Sequence, residues 1–148
     1  MREYFYNASV GRMGSAGMLL LRLVMGTAFI FHGWSKIQNP LDWMGPDAGV
    51  PGILQALAAL SEFGGGMALI VGLLTRLASL GIAGVMVGAL VMVHLPQGHP
   101  FVGKGGGPSY ELSAVYLACA ALFLLLGAGR FSLDAILFNK RPRAKEAT

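Results

Sequence analysis

Five polar or ionisable side chains interrupt apolar parts of this sequence and could do chemistry there. His32 ends an apolar stretch, Glu62 lies within LSEFGGGMAL, and His94 closes another apolar stretch. Tyr110 and Glu111 stand where a further apolar stretch begins. Imidazole exchanges protons near neutral pH, and a carboxylate can carry a proton, so these residue types suit proton transfer. The predicted catalytic residues are therefore Glu62, His32 and His94.

A quinone is the cofactor that these residue types fit best. A quinone needs an apolar slot and groups that hydrogen-bond its carbonyls and exchange protons. Lys36 follows His32 by four residues, so the two share one helical face if the helix continues. The predicted cofactor-binding residues are His32, Lys36, His94, Tyr110 and Glu111. No flavin or iron–sulfur motif is visible, so the electrons would come from a partner protein.

The same residues also admit other interpretations. Lys36 and His32 could mark the membrane boundary, because charged side chains near span ends extend to the interface. Glu62 could be a structural partner for Arg22 or Lys36. Two histidines on different spans could hold a haem, or could join Glu62 and Glu111 around a metal, although neither spacing is a recognised motif. The sequence alone leaves these alternatives open.

The composition is that of a membrane protein. Hydrophobic residues make up 55% of the chain and charged residues only 12%, whereas soluble domains carry about 25% charged residues. A spanning helix needs about 20 apolar residues, and four stretches qualify. The predicted spans are residues 15–33, 53–74, 77–95 and 112–128. We therefore predict an all-α membrane protein, a single-domain four-transmembrane-helix up-down bundle.

The distribution of positive charge predicts the orientation of this bundle. Basic residues concentrate in the N-terminal segment, in the connection Thr75–Arg76 between spans two and three, and in the C-terminal tail. The two long loops carry only Lys36 and Lys104. The positive-inside rule then places both termini in the cytoplasm. The expected location is the cell inner (plasma) membrane as a multi-pass protein, with the lipid bilayer as partner and no nucleic acid.

Helix geometry brings the candidate residues towards one level of the bundle. At about 1.5 Å per residue, His32 lies roughly 25 Å from the cytoplasmic start of span one, and His94 lies at nearly the same height in span three. Tyr110 and Glu111 lie at that level because span four enters from outside. Glu62 lies roughly 13 Å below the outer end of span two. We predict a shared pocket in the outer half of the bundle, which depends on how the helices are rotated.

Several longer stretches resemble the DoxX family of small membrane proteins. They are LLRLVMGTAFIFHGWSKI, SEFGGGMALIVGLLTRLASL, GGGPSYEL and GAGRFSLDAIL, together with the histidine that closes span three. One departure is Ala128, which stands where the family turn often has proline. The resemblance implies a four-helix membrane bundle with a redox connection, since some relatives are subunits of a thiosulfate:quinone oxidoreductase and others are linked to thiol and oxidative-stress systems. The family's recurrent polar positions correspond here to His32, Lys36, Glu62, Arg76, Arg130 and Asp134.

Three functions follow as hypotheses. The first is a quinone-linked redox subunit of an oxidoreductase system. The second is a non-catalytic membrane anchor or accessory subunit of a larger complex, and the third is a haem- or metal-binding four-helix bundle. The expected partner is an oxidoreductase subunit or a second copy of the chain. Whether the chain is itself an enzyme stays open.

Overall fold

A computed structural model describes residues 10–138 as helices joined by turns and loops. The helices are α1 (Arg12–Gln38), α2 (Gly52–Val71), α3 (Thr75–Ala89), α4 (Glu111–Leu126) and α5 (Leu133–Phe138). A π-helical turn, Leu90–His94, extends α3, and a short 3-10 turn, Pro46–Ala48, lies between α1 and α2. The described range holds no strand, in agreement with the all-helical prediction. Arg2 and the basic residues after position 138, used in predicting the orientation, lie outside the described residues.

The described helices have the length and hydropathy of membrane spans. Arg12–Gln38, Gly52–Val71 and Thr75–His94 are long and apolar enough to cross a bilayer. The fourth apolar helix, α4, is shorter at 16 residues. It ends before the predicted boundary at residue 128 because Gly127, with φ 76°, breaks the helix. Three candidate spans and one shorter apolar helix are therefore present between residues 10 and 138.

Close contact between glycines allows α1 and α2 to pack against each other. A Cβ atom at Gly26 would lie 2.7 Å from the carbonyl oxygen of Gly66, and the reverse distance is the same. Helices whose facing residues are this small can approach closely. Helix α3 packs against both α2 and α4. The core between the helices consists of Met18, Met25, Phe29, Leu69, Ile82, Met86, Ala120 and Phe123.

The turn between α2 and α3 consists of residues 72–74, slightly before the predicted connection at Thr75–Arg76. Gly72 ends α2 in the left-handed conformation, with φ 69°, and Leu74 follows with φ 48°. The Asp134 carboxylate accepts hydrogen bonds from the backbone N–H groups of Leu74 and Thr75, at 2.7 and 2.9 Å. It thereby caps the start of α3. Since Asp134 lies 60 residues away on α5, the local sequence does not reveal this cap.

A buried arginine connects α1 to the end of α2 and to the segment after α4, at the end of the bundle that holds the α2–α3 turn. Arg22 is 1% exposed. Its guanidinium donates to the carbonyl oxygens of Leu69 and Ile70 at the end of α2, and to those of Ala128 and Phe131 after α4. Carbonyls at the end of a helix lack partners within the helix, so this side chain satisfies groups that would otherwise be unpaired. Of the two partners considered for Glu62, Arg22 bonds to backbone carbonyls instead, and Lys36 is the one that pairs with the carboxylate.

Candidate functional site

A cavity of about 680 Å³ lies at the end of the bundle opposite the α2–α3 turn. Helices α1 to α4 and the loop between α1 and α2 all contribute to its wall. Its volume falls within the roughly 300–1,000 Å³ typical of small-molecule sites. Most of the wall is aliphatic or glycine. The polar and aromatic-polar residues that line it are His32, Lys36, Trp43, Gln55, Ser61, Glu62, Ser113 and Tyr116.

An ion pair forms the most polar part of the cavity wall. Lys36 Nζ lies 2.7 Å from Glu62 Oε1, and Glu62 is 2% exposed. The second carboxylate oxygen, Glu62 Oε2, is buried without a hydrogen-bond partner among the described residues. Buried polar atoms are normally paired, because an unmade hydrogen bond in a site of low dielectric costs free energy. Glu62 therefore lines the cavity with an acceptor oxygen that no described residue satisfies.

The loop between α1 and α2 is pinned against the cavity by specific contacts. The Trp43 ring centroid lies 4.4 Å from Lys36 Nζ, within the range of a cation–π interaction. Trp43 Nε1 donates to the Gln55 carbonyl oxygen at 3.0 Å. The Gln55 side chain accepts from the Met44 N–H at 3.0 Å and donates to the Val50 carbonyl oxygen at 2.9 Å. These bonds hold Trp43 beside the ion pair.

His32 and Tyr116 form an aromatic part of the wall on the α1 and α4 side. Their ring centroids are 6.2 Å apart, and the Tyr116 ring packs 4.9 Å from the Phe29 ring. Within residues 10–138 neither the His32 ring nitrogens nor the Tyr116 hydroxyl takes part in a hydrogen bond. Both can therefore donate to a ligand.

His94 does not line the cavity. Its Nδ1 lies 3.0 Å from His99 Nδ1, and its Nε2 lies 3.3 Å from Ser113 Oγ. It is the last residue of the π-helical turn, in which the Leu95 N–H bonds back to the Leu90 carbonyl. Since Ser113 lies on the cavity wall, His94 contacts a residue of the wall without lining the cavity itself.

Tyr110 and Glu111 also lie away from the cavity wall. The Tyr110 ring packs 5.3 Å from the Phe101 ring, and Glu111 is the exposed first residue of α4. The structure therefore brings together His32, Lys36 and Glu62, and keeps the other three predicted site residues outside the cavity.

Three lining residues were missed from the sequence. Gln55 is polar and stands seven residues before Glu62, so the two share a face of α2, and this spacing could have identified it. Tyr116 is the second phenol near the start of α4 and could have been weighed beside Tyr110. Trp43 is the third, and nothing in its local sequence indicates its contact with Lys36.

The residues considered as haem or metal ligands do not all lie at the cavity. Only His32 and Glu62 of the proposed ligands line the cavity. Between residues 10 and 138 no three His, Cys, Asp or Glu side chains come together in a group that could hold a metal ion.

Comparison with known proteins identifies the class of protein. The DoxX family model matches residues 17–95. The chain is 32% identical over 138 residues to "Inner membrane protein YqjF" of Escherichia coli, covering 87% of this chain and 98% of that protein. It is 30% identical over 126 residues to "Putative oxidoreductase CatD" of Bacillus subtilis, covering 83% and 88%. No solved structure matches the chain. The chain belongs to the DoxX family of membrane proteins, as its sequence motifs predicted.

Proposed function

We propose that this protein is a quinone-linked redox subunit that holds a quinone headgroup in the cavity beside Lys36 and Glu62. The observation that carries the proposal is that Glu62, whose Oε2 has no partner within residues 10–138, lines a largely apolar cavity of ligand size. Such a cavity with a few convergent polar groups is the usual form of a small-molecule site.

The polar groups suit both redox forms of a quinone. The oxidised ring has only carbonyl acceptors, which the Lys36 ammonium, the His32 ring and the Tyr116 hydroxyl can meet as donors. The reduced ring has hydroxyl groups, one of which can donate to Glu62 Oε2. Reduction adds two electrons and two protons to the ring and leaves a quinol. His32 is placed to pass protons to the ring, whereas the Glu62 carboxylate, paired with Lys36, is the acceptor for a hydroxyl of the quinol.

The electrons come from a partner oxidoreductase subunit that carries its own redox group. The sequence shows no flavin or iron–sulfur motif, which favours a partner subunit as the source of the electrons and this chain as the subunit that binds the quinone. The name of the Bacillus subtilis relative, "Putative oxidoreductase CatD", supports an oxidoreductase system. The non-catalytic anchor is the competing function, and under it Lys36 and Glu62 only stabilise the bundle.

Helices α1 to α4 all cross the plasma membrane under this proposal, with both termini in the cytoplasm. What supports this orientation is the position of Arg12, Arg76 and Arg130 at the end of the bundle that holds the α2–α3 turn. Lys36 lies at the other end, beside the cavity. The positive-inside rule then directs the cavity end outwards.

Trp43 provides a direct test. It lines the cavity, whereas Trp34 packs against Phe63 at 5.7 Å and does not. In a Trp34→Phe variant, Trp43 is the sole tryptophan, and a bound quinone should quench its fluorescence saturably. Tail-less ubiquinone and menaquinone analogues are the probes.

The matched control is Trp43→Phe, which keeps Trp34 and should show only weak, non-saturating quenching. Adding His32→Ala and Glu62→Gln to the Trp34→Phe variant should weaken binding at least about tenfold. Unchanged affinity in that combined variant would remove these residues from the site and favour the anchor.

A further inference from the structure

The gap between α2 and α3 is narrow at its centre and wide beside the cavity. A Cβ atom at Gly81 would lie 2.7 Å from Ser61 Oγ, so the two helices nearly touch there. One and two turns further along α3, a Cβ at Gly84 or Gly88 would meet nothing within 4 Å. The helices therefore diverge on the cavity side, and the cavity opens between them.

The rim of this opening is apolar. Leu54 and Leu57 of α2, Met92 after α3 and Leu112 of α4 all line the cavity, and each is more than half exposed. The ion pair lies on the opposite side, against α1. In a membrane protein, exposed aliphatic side chains at a helix gap face hydrocarbon, so the opening leads into the bilayer rather than into water.

A second cavity continues along the outer face of the same helix pair. It has a volume of about 510 Å³ and shares Ser61 and Gly81 with the first. Its floor consists of small residues, among them Gly64 and Ala68, and leucines form its walls. The two cavities therefore adjoin where α2 and α3 cross, one on each side of the contact between Ser61 and Gly81. Together they give an apolar path along the outer face of the helix pair, from the main cavity towards the turn.

We propose that this path binds the hydrocarbon tail of the quinone, whose ring lies beside Glu62. This inference rests on the proposed function, because the occupant of the groove is the tail of the molecule held in the cavity. A membrane quinone is a polar ring on a long branched hydrocarbon chain. The site has the same order of chemistry, with the Lys36–Glu62 pair in the wall of the main cavity and an apolar groove beyond it. The quinone enters sideways from the bilayer between α2 and α3.

The test compares two quinones with the same ring, one without a tail and one carrying two isoprene units. Affinities are read from Trp43 quenching in the Trp34→Phe background. Gly64→Leu fills the groove, where the nearest atom is the flexible end of Leu60 at 3.2 Å. Ala68→Leu fills the same groove closer to the turn, and neither residue lines the main cavity. Gly17→Leu is the matched control, because it adds the same side chain at an exposed helical position with no neighbour within 4 Å.

Both groove variants should weaken binding of the tailed quinone by roughly tenfold, because a few methylene groups of its tail lose their burial. The tail-less quinone has no such groups, so its affinity should fall by less than about twofold. The control should change neither. Equal losses for both quinones, or none for either, would overturn the tail path. A Gly64→Leu variant that changes the mass of the detergent-solubilised complex would show that a second copy of the chain fills the groove, and would also overturn it. If neither quinone binds the unsubstituted site, the proposed function itself fails.

Discussion

Lys36 Nζ and Glu62 Oε1 are 2.7 Å apart and join α1 to α2 at the wall of the main cavity. The pair is charge-balanced, but it uses only one of the two carboxylate oxygens. It therefore joins the two helices and at the same time leaves an acceptor oxygen unsatisfied in a residue of the cavity wall. The structural and functional interpretations of Glu62 are thus compatible in one geometry.

Removing one partner of this pair should destabilise the protein more than removing both. In Lys36→Met, Glu62 remains buried without its cation, and we expect a loss of about 3 kcal/mol in the free energy of unfolding. Adding Glu62→Gln to that variant should recover part of the loss. Unfolding in detergent measures both, with the exposed loop variant Lys104→Met as control. If both cavity variants matched that control, the ion pair would contribute nothing to stability.

The two membrane-level histidines should differ in their effect on quinone binding. His32 lines the cavity, whereas His94 contacts it only through Ser113. His32→Ala should therefore weaken binding by about tenfold, the value of about one lost hydrogen bond. His94→Ala should change it by less than about threefold. Trp43 quenching measures both affinities, and a larger loss for the His94 variant would contradict this assignment.

Arg22→Lys should destabilise the fold although it keeps the charge. The guanidinium serves four carbonyl oxygens at once, and the lysine ammonium cannot reproduce that planar arrangement. We expect a loss of about 2 kcal/mol in the free energy of unfolding. Arg12→Lys, at the exposed start of α1, is the matched control. Equal stability of the two variants would show that charge alone is required.

Asp134→Ala should loosen the start of α3. Its carboxylate accepts from two backbone N–H groups there, and loss of a helix cap costs about 1–2 kcal/mol. Asp47→Ala, in the exposed loop between α1 and α2, removes a carboxylate of the same type without a cap. Thermal unfolding of the two variants measures the difference, and equal midpoints would argue against the cap.

Helix positions were predictable because composition and hydrophobic length dominate in a membrane protein. Residues 15–33, 53–74 and 77–95 fall largely within the three long apolar helices. The conjunction of His32, Lys36 and Glu62 was predictable in outline, because helical rise puts them in the same half of the bundle.

What could not be predicted depends on rotation and on distant contacts. His94 was expected in the shared pocket, but the π-helical turn and the contact with His99 keep it outside. Gln55 and Trp43 meet through a loop whose path no local pattern encodes. The cap from Asp134 joins residues 60 positions apart. Each of these features depends on contacts between residues far apart in the sequence, and such contacts leave no local sequence pattern.

The most direct measurement of the central claim is photolabelling of the membrane-embedded protein with a tail-less azido-quinone, followed by mass spectrometry of the labelled peptides. The account predicts label on cavity residues from separate helices, such as His32, Tyr116 and Ala58. An excess of unlabelled quinone should suppress that label. Label confined to lipid-facing positions such as Leu125, or label that competition leaves unchanged, would contradict a quinone site in this cavity.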